Sequence, residues 1–173
     1  RVPDSIGIHL SGSLKGGAEA KDLALSYVSR LGMDGGTYCA LEFIGDGAGT
    51  LQMDDRLTLC NLSVETGAKT GMFYADSVTL RYLAAAGQKA RPQVPESCTY
   101  IRELEFDLAD IVPLVAVSPR VDTVKPVQDL AGLSLDQVFI GTCTNGRYSD
   151  LARCAKIVRG KKVAVRTIVV PAS

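Results

Sequence analysis

The chain lacks charge of either sign in excess: 19 Lys and Arg balance 19 Asp and Glu over 173 residues. That balance excludes a broadly basic face for DNA, RNA or anionic membranes. No apolar run approaches the roughly 20 residues that cross a bilayer. There is one histidine, His9, and no C-x-x-C pair, so the chain alone does not compose a zinc site. The five cysteines (Cys39, Cys60, Cys98, Cys143 and Cys154) are odd in number and irregular in spacing. Such a set argues against a disulfide framework and for a reducing, cytoplasmic compartment. Arg1-Val2-Pro3-Asp4 offers neither an initiator methionine nor a signal-peptide h-region, so a processed or excised chain is expected. Phosphate loops of the G-x-x-x-x-G-K-S/T type, repeats and low-complexity tracts are missing as well.

What is present is enough chain to bury roughly 68–70% of its unfolded surface. Residues 5–14 pattern as a strand or tight hairpin. A helix follows over 19–31, where Ala20, Leu23, Ala24, Val28 and Leu31 recur at helical spacing before Gly32. A strand is expected at 37–44, a flexible glycine-rich turn at 45–50, and a second helix over 53–66 that stops at Gly67. Residues 71–74 suggest a short strand, and Asp76 caps a third helix through Ala86. Residues 87–98 are polar and proline-bearing, which predicts a linker or long loop. Strand patterns return at 99–106 and 111–117. The segment 118–126 carries Pro119 and Pro126 and is the expected domain boundary, closing an α/β domain over 1–117. Beyond it, 127–173 forms a β-α-β pattern: strand 136–140, helix 147–158, strand 165–170. Strands alternating with helices at this spacing point to an α/β fold with a parallel or mixed sheet.

Four features bear on chemistry. Gly45-Asp46-Gly47-Ala48-Gly49-Thr50 sits between a strand and a helix, as a dinucleotide loop would. Its third glycine falls one place early and no acidic residue ends a strand about 20 positions on, which favours a plain turn. His9 alternates within Ile6-Gly7-Ile8-His9-Leu10 and reads as a strand residue rather than a ligand. Asp22 in the first turn of its helix is accounted for by the helix dipole. Asn61 and Glu65 lie four apart on one stripe of the second helix, among Leu57, Leu59, Leu62 and Val64. A helix so apolar around its girth predicts burial, and buried polar groups need partners. That leaves a structural hydrogen-bond network and an active-site wall equally open. A Glu65–Lys69 pair is the third alternative, weakened by the stop at Gly67.

The most informative stretch is Val138 to Arg147, where an apolar strand breaks into Gly141-Thr142-Cys143-Thr144-Asn145-Gly146-Arg147 before a helix resumes at Tyr148. A cysteine in a strand-to-helix turn meets free backbone N–H groups that favour a thiolate. It suits a metal or cluster ligand, a nucleophile, or inert packing.

Together with Asp150-Leu151, this stretch resembles the first cluster-ligand motif of the aconitase superfamily, most closely the large subunit of 3-isopropylmalate dehydratase and its homoaconitase relatives. The resemblance runs the length of the chain. Gly16 to Leu25 resembles that family's G-V-T-A-K-D helix start, and Glu42-Phe43-Ile44-Gly45 its E-F-x-G. Arg56-Leu57-Thr58-Leu59-Cys60-Asn61-Leu62-Ser63-Val64-Glu65-Thr66-Gly67-Ala68-Lys69 is similar to its R-M-T-L-C-N-M-A-I-E-x-G-A-K, and Val169-Val170-Pro171-Ala172-Ser173 also fits. Several departures stand out. Thr142 replaces a serine and Ala75 a common proline. The later C-x-x-C pair, the early Asp-His segments, and the arginine and serine that handle substrate are all absent.

The resemblance implies an aconitase-type, layered α/β/α fold, with 127–173 as the start of a cluster-binding domain. It implies dehydration and rehydration of a hydroxy-carboxylic acid through a 4Fe-4S cluster. Isopropylmalate, in leucine biosynthesis, is the first choice; homoaconitate, dimethylmalate and citrate are the alternatives. Cys143 becomes the first cluster ligand and Asn145 a support for the cluster sulfurs. Asn61 and Glu65 face the cluster and its solvent, with Glu65 a proton relay, and Arg147 lies on the substrate rim. A separate small subunit is the implied partner. With one ligand of three, this internal piece is expected to be inactive alone and to lack the cluster that the intact parent holds. Two rivals stand beside this reading. One is a non-catalytic α/β binding module, and the other a cysteine-nucleophile enzyme with His9 as its only imidazole base.

Overall fold

The computed structural model describes residues 2–93, 98–117 and 119–172. The chain divides into two compact units, Arg1–Val127 and Gln128–Ser173.

The first unit is built on four parallel strands in the order β3-β2-β1-β4: β1 (Asp4–Ser11), β2 (Cys39–Ile44), β3 (Thr70–Phe73) and β4 (Arg102–Asp107). Alternation along β1 sends Ile6, Ile8 and Leu10 to one face, where Leu41 and Phe43 of β2 join them. Helices α1 (Ala20–Leu31) and α2 (Met53–Leu62) cover that face with Leu23, Ala24, Tyr27, Val28 and Leu59. Ile8, Leu23 and Leu41 are 0% exposed. Each such burial contributes about 1.5–3 kcal/mol. On the opposite face Gly7 leaves room for the Tyr100 ring, which a Cβ there would meet at 2.9 Å.

Helix α1 ends as its sequence predicts, with Gly32 left-handed (φ 76°) and its N–H donating to Val28 O at 2.8 Å. Asp22 does more than answer the helix dipole. One carboxylate oxygen accepts from Glu19 N at 2.7 Å and the other from Leu114 N at 2.8 Å, tying α1 to β5 (Leu114–Ala116).

Three local expectations change. Residues 4–11 form one strand rather than a hairpin, because both neighbours of β1 are distant in sequence. The glycine-rich segment is a packed 3-10 turn, Asp46–Thr50, and not a flexible one. A Cβ at Gly45 would lie 2.3 Å from Leu10 O, and one at Gly47 2.8 Å from the Leu10 carbonyl carbon. Helix α2 stops at Leu62 and continues as a 3-10 turn, Ser63–Thr66, before Gly67 closes it at φ 79°.

Asp76 caps α3 (Ser77–Ala85) as expected, accepting from Val78 N at 3.0 Å and Thr79 N at 3.2 Å. Of the 87–98 segment, 94–97 lie outside the described residues, and the rest carries no strand or helix. Residues 124–126, at the end of the proposed boundary segment, form β6 (Val124–Pro126), antiparallel to β5 within the first unit.

The second unit is a β-α-β arrangement. Parallel strands β7 (Gln137–Gly141) and β8 (Arg166–Val170) flank the one-turn helix α4 (Thr142–Asn145) and helix α5 (Tyr148–Val158). Strands β7 and β8 and helix α5 fall within a residue of the sequence pattern, and α4 takes the place of the expected turn.

Candidate functional site

Cys143 lies just beyond the carboxyl end of β7, where open α/β sheets present their ligands. Rather than sitting in an open turn before α5, it belongs to the single turn α4. The entry to that turn is unusual. Gly141 has φ 154°, and a Cβ there would stand 2.3 Å from Val170 O of β8. Thr142 follows at φ 80°, a left-handed conformation that a β-branched residue adopts at a cost of about 1–3 kcal/mol. Its Oγ1 is 3.0 Å from Thr144 Oγ1 and accepts from Thr144 N at 3.4 Å. The exit is clamped by Ala172 N, which donates to Gly146 O at 2.7 Å.

In this frame Cys143 is exposed and carries a thiol outside any disulfide. Asn145, two residues on, has a buried Oδ1 with no hydrogen-bond partner among the described residues. An unsatisfied buried carbonyl costs about 1–3 kcal/mol, which adds to the strain at Thr142. Arg147 folds back on the turn, its Nη1 donating to Thr144 O at 3.4 Å, while its N–H donates to Asp150 Oδ2 at 3.0 Å.

Asn61 and Glu65 belong to the first unit. Asn61 is exposed and Glu65 half-buried. The burial expected of their helix is only partial: Leu59 is 0% exposed, but Leu57 and Leu62 are half-buried and Val64 is 63% exposed. The helix turns one stripe, not its whole girth, to the sheet. Lys69 does not reach Glu65; its Nζ lies 4.3 Å from the centre of the Tyr38 ring.

Two polar networks of the first unit have no counterpart among the expected site residues. Arg56, 2% exposed, donates to Asp76 Oδ1 at 2.7 Å and Oδ2 at 2.6 Å, to Thr79 Oγ1 at 3.0 Å, and to the carbonyls of Ala48 (3.0 Å) and Leu51 (3.2 Å). Its signal in the sequence was one cation among the leucines of α2. Hydrogen bonding to Arg56 holds the Asp76 carboxyl below the usual carboxylate range. Glu42, 6% exposed, accepts from Tyr74 Oη at 2.9 Å and Tyr100 Oη at 3.3 Å. Burial and the Glu42 carboxylate push Tyr100 up to about 12, and Tyr74 is raised by the same causes.

A cavity of about 710 Å³ opens at the carboxyl edge of β1 and β4, lined by His9, Arg30, Asp46, Glu105 and Asp107 among others. Several of its polar groups are locally committed. His9 Nε2 is 2.6 Å from Glu103, Arg30 donates to Glu105 O, Asp46 accepts from Gly47 N, and Asp107 accepts from Ala109 N.

The sequence pattern of the aconitase family (aconitate hydratase) matches residues 1–131 and 119–173. The chain belongs to the aconitase family. It is 44% identical to the 3-isopropylmalate dehydratase large subunit 2 of Archaeoglobus fulgidus, covering all of this chain and 43% of that protein. It is also 44% identical to the 3-isopropylmalate dehydratase large subunit of Nitratidesulfovibrio vulgaris, covering 42% of it. The probable methanogen homoaconitase large subunit of Methanosarcina mazei gives 44% again, over 45% of its length. The chain thus spans somewhat less than half the length of the curated relatives it matches.

Membership in the aconitase family implies a 4Fe-4S cluster. Among the described residues, no group of three or more His, Cys, Asp or Glu is arranged to hold a metal ion. Cys143 is a single exposed thiol, and one thiol is not a complete cluster site. Among the described residues no helix is long and apolar enough to cross a membrane.

Proposed function

We propose that the protein to which this chain belongs is a hydro-lyase that dehydrates and rehydrates a hydroxy-carboxylic acid, with isopropylmalate as the substrate. The reading is carried by the Cys143 turn: an exposed thiol on a strained backbone at the carboxyl end of a parallel strand. The 44% identity to named dehydratase large subunits supports the substrate class. Cys143 contributes one thiolate to a 4Fe-4S cluster completed by residues elsewhere in the whole protein. When bound, such a cluster supplies Lewis acidity toward a substrate hydroxyl. Asn145 would support the cluster sulfurs, and the bond from Ala172 N to Gly146 O closes the turn that carries the thiol. Glu65, half-exposed beside Asn61, takes and returns a proton during loss and re-addition of water. Arg147 lines the substrate rim. Residues 127–173 begin the cluster-binding domain, and 1–117 form the preceding α/β domain. A separate small subunit completes the enzyme, in keeping with the "large subunit" in the relatives' names. Five thiols suit the cytoplasm.

The test is made on the full-length protein, reconstituted anaerobically with iron and sulfide. Cys143→Ser abolishes the visible cluster absorbance and isopropylmalate turnover, whereas Glu65→Gln keeps the absorbance and loses turnover. A Cys143→Ser enzyme that retains a full cluster and its activity would sink the assignment.

A further inference from the structure

We infer that three buried hydroxyls, those of Tyr27, Ser63 and Thr66, are positioning groups that convert the end of α2 into a 3-10 turn and thereby aim Glu65. The functional part of this inference rests on the hydro-lyase reading; the backbone part does not.

Helical spacing alone would carry α2 through to Thr66, leaving Asn61 and Glu65 about 40° apart around the axis. The α-helix instead stops at Leu62. Ser63 Oγ donates back four residues to Leu59 O at 2.9 Å, a bond known to bend helices. Tyr27 Oη, reaching over from α1, donates to the same carbonyl at 2.7 Å, so Leu59 O, which still accepts the last α-helical bond from Ser63 N–H, is held by two hydroxyls as well. Burial raises the Tyr27 phenol far above its usual range, so it stays a donor throughout the working pH range. One turn later Thr66 Oγ1 donates to Ser63 O at 2.8 Å, the carbonyl that an α-helical Gly67 N–H would use. Gly67 N–H goes instead to Val64 O at 2.9 Å, the 3-10 pattern.

All three donors are 0% exposed. Glycines make the space: a Cβ at Gly71 would lie 2.4 Å from Ser63 Oγ, and one at Gly36 2.6 Å from Thr66 Oγ1. The residues turned outward by the same turn are Asn61, Val64 and Glu65. The tighter winding opens the Asn61–Glu65 angle to about 80° and moves Glu65 about 1 Å further along the axis. A shift of that size at a proton-transferring group is consequential for turnover.

The experiment compares Tyr27→Phe, Ser63→Ala, Thr66→Val and the triple variant. In the 173-residue chain, NMR scalar coupling across the hydrogen bond reports which carbonyl accepts from Gly67 N–H. It is Val64 in the wild type and is expected to become Ser63 in the triple variant. Tyr27→Phe removes one oxygen and keeps the ring on Phe43, so Tyr27→Phe with Thr66→Val, which frees the Ser63 carbonyl, replaces the triple variant should that not fold. In the full-length protein, kcat is expected to fall about tenfold to a hundredfold with KM within about twofold, and Ser63→Thr to restore it. Coupling that stays on Val64 in every variant would overturn the inference, because Gly67 alone would then set the turn. Coupling that moves while kcat does not would overturn the aiming of Glu65. A wild-type protein without hydro-lyase activity would overturn the functional reading, and the coupling data would still decide the backbone claim.

Discussion

Replacing Arg56 with methionine tests how the first unit is held together. Met fills most of the volume of the Arg stem, so the loss concentrates in the guanidinium. That group donates to five acceptor positions: both Asp76 oxygens, Thr79 Oγ1, and the carbonyls of Ala48 and Leu51. The Asp76 side chain is 38% exposed and keeps its bonds to the α3 N-terminus, so water and the cap compensate much of its loss. Leu51 is 2% exposed, and its carbonyl loses a donor out of reach of bulk water, whereas the Ala48 carbonyl keeps the Leu51 N–H at 3.4 Å. At about 1–3 kcal/mol for the orphaned Leu51 acceptor, plus the broken pair, the expected loss is about 3–5 kcal/mol. With an m value of about 1.5 kcal/mol/M, the urea midpoint followed by far-UV circular dichroism falls by at least about 2 M. Arg56→Lys, which keeps the charge but not the planar fork, falls about half as far. The pH dependence supplies a second check. The Asp76 carboxyl titrates lower in the folded state than unfolded, so its stabilisation is complete above the unfolded value near about 4 and disappears as pH falls through the folded one. The gap between wild type and Arg56→Met should therefore narrow below about pH 4. A midpoint shift under about 0.5 M at neutral pH would refute this reasoning and place the cluster among surface ion pairs of little consequence.

Two further outcomes follow from the geometry. Gly141→Ala pushes a Cβ to 2.3 Å from Val170 O, so the second unit should lose at least about 2 kcal/mol and release the Cys143 turn. Hydrogen exchange at residues 142–146 checks this, and unchanged protection would contradict it. Iodoacetamide with mass spectrometry should label Cys143 and Cys98, both exposed, well before Cys39, which is 7% exposed. Burial pushes the Cys60 thiol up to about 11, so its labelling rate should keep rising as pH is raised toward that value. Equal rates for Cys60 and Cys143 at neutral pH would contradict the burial argument.

Much of the fold is local and was legible. Helix α1 follows from Ala20, Leu23, Ala24, Val28 and Leu31, with Gly32 as its stop. Strands β7 and β8 and helix α5 lie within a residue of their patterns. The candidate site was legible only as motif. Cys143 and Asn145 could be singled out, but not the left-handed Thr142 or the orphaned oxygen, since both depend on β8 closing against Gly141 and Gly146. The burial of α2 was overestimated because composition counts apolar residues and cannot say which stripe finds the sheet.

Taken alone, the order of residues determined what each segment can do by itself. Periodicity chose helix or strand, Gly67 and Asp76 set ends, and the run through Cys143 marked an aconitase-family turn. Tertiary structure decided everything that needs two distant segments. It set the strand order β3-β2-β1-β4 and the tie from Asp22 to Leu114. It turned the glycine-rich segment after β2 into a packed turn, because Gly45 and Gly47 meet the backbone of β1. It also decided where α2 ceases to be an α-helix. The last α-helical carbonyl before that break, Leu59 O, is also held by a tyrosine 32 positions away, a contact that only the closed fold creates.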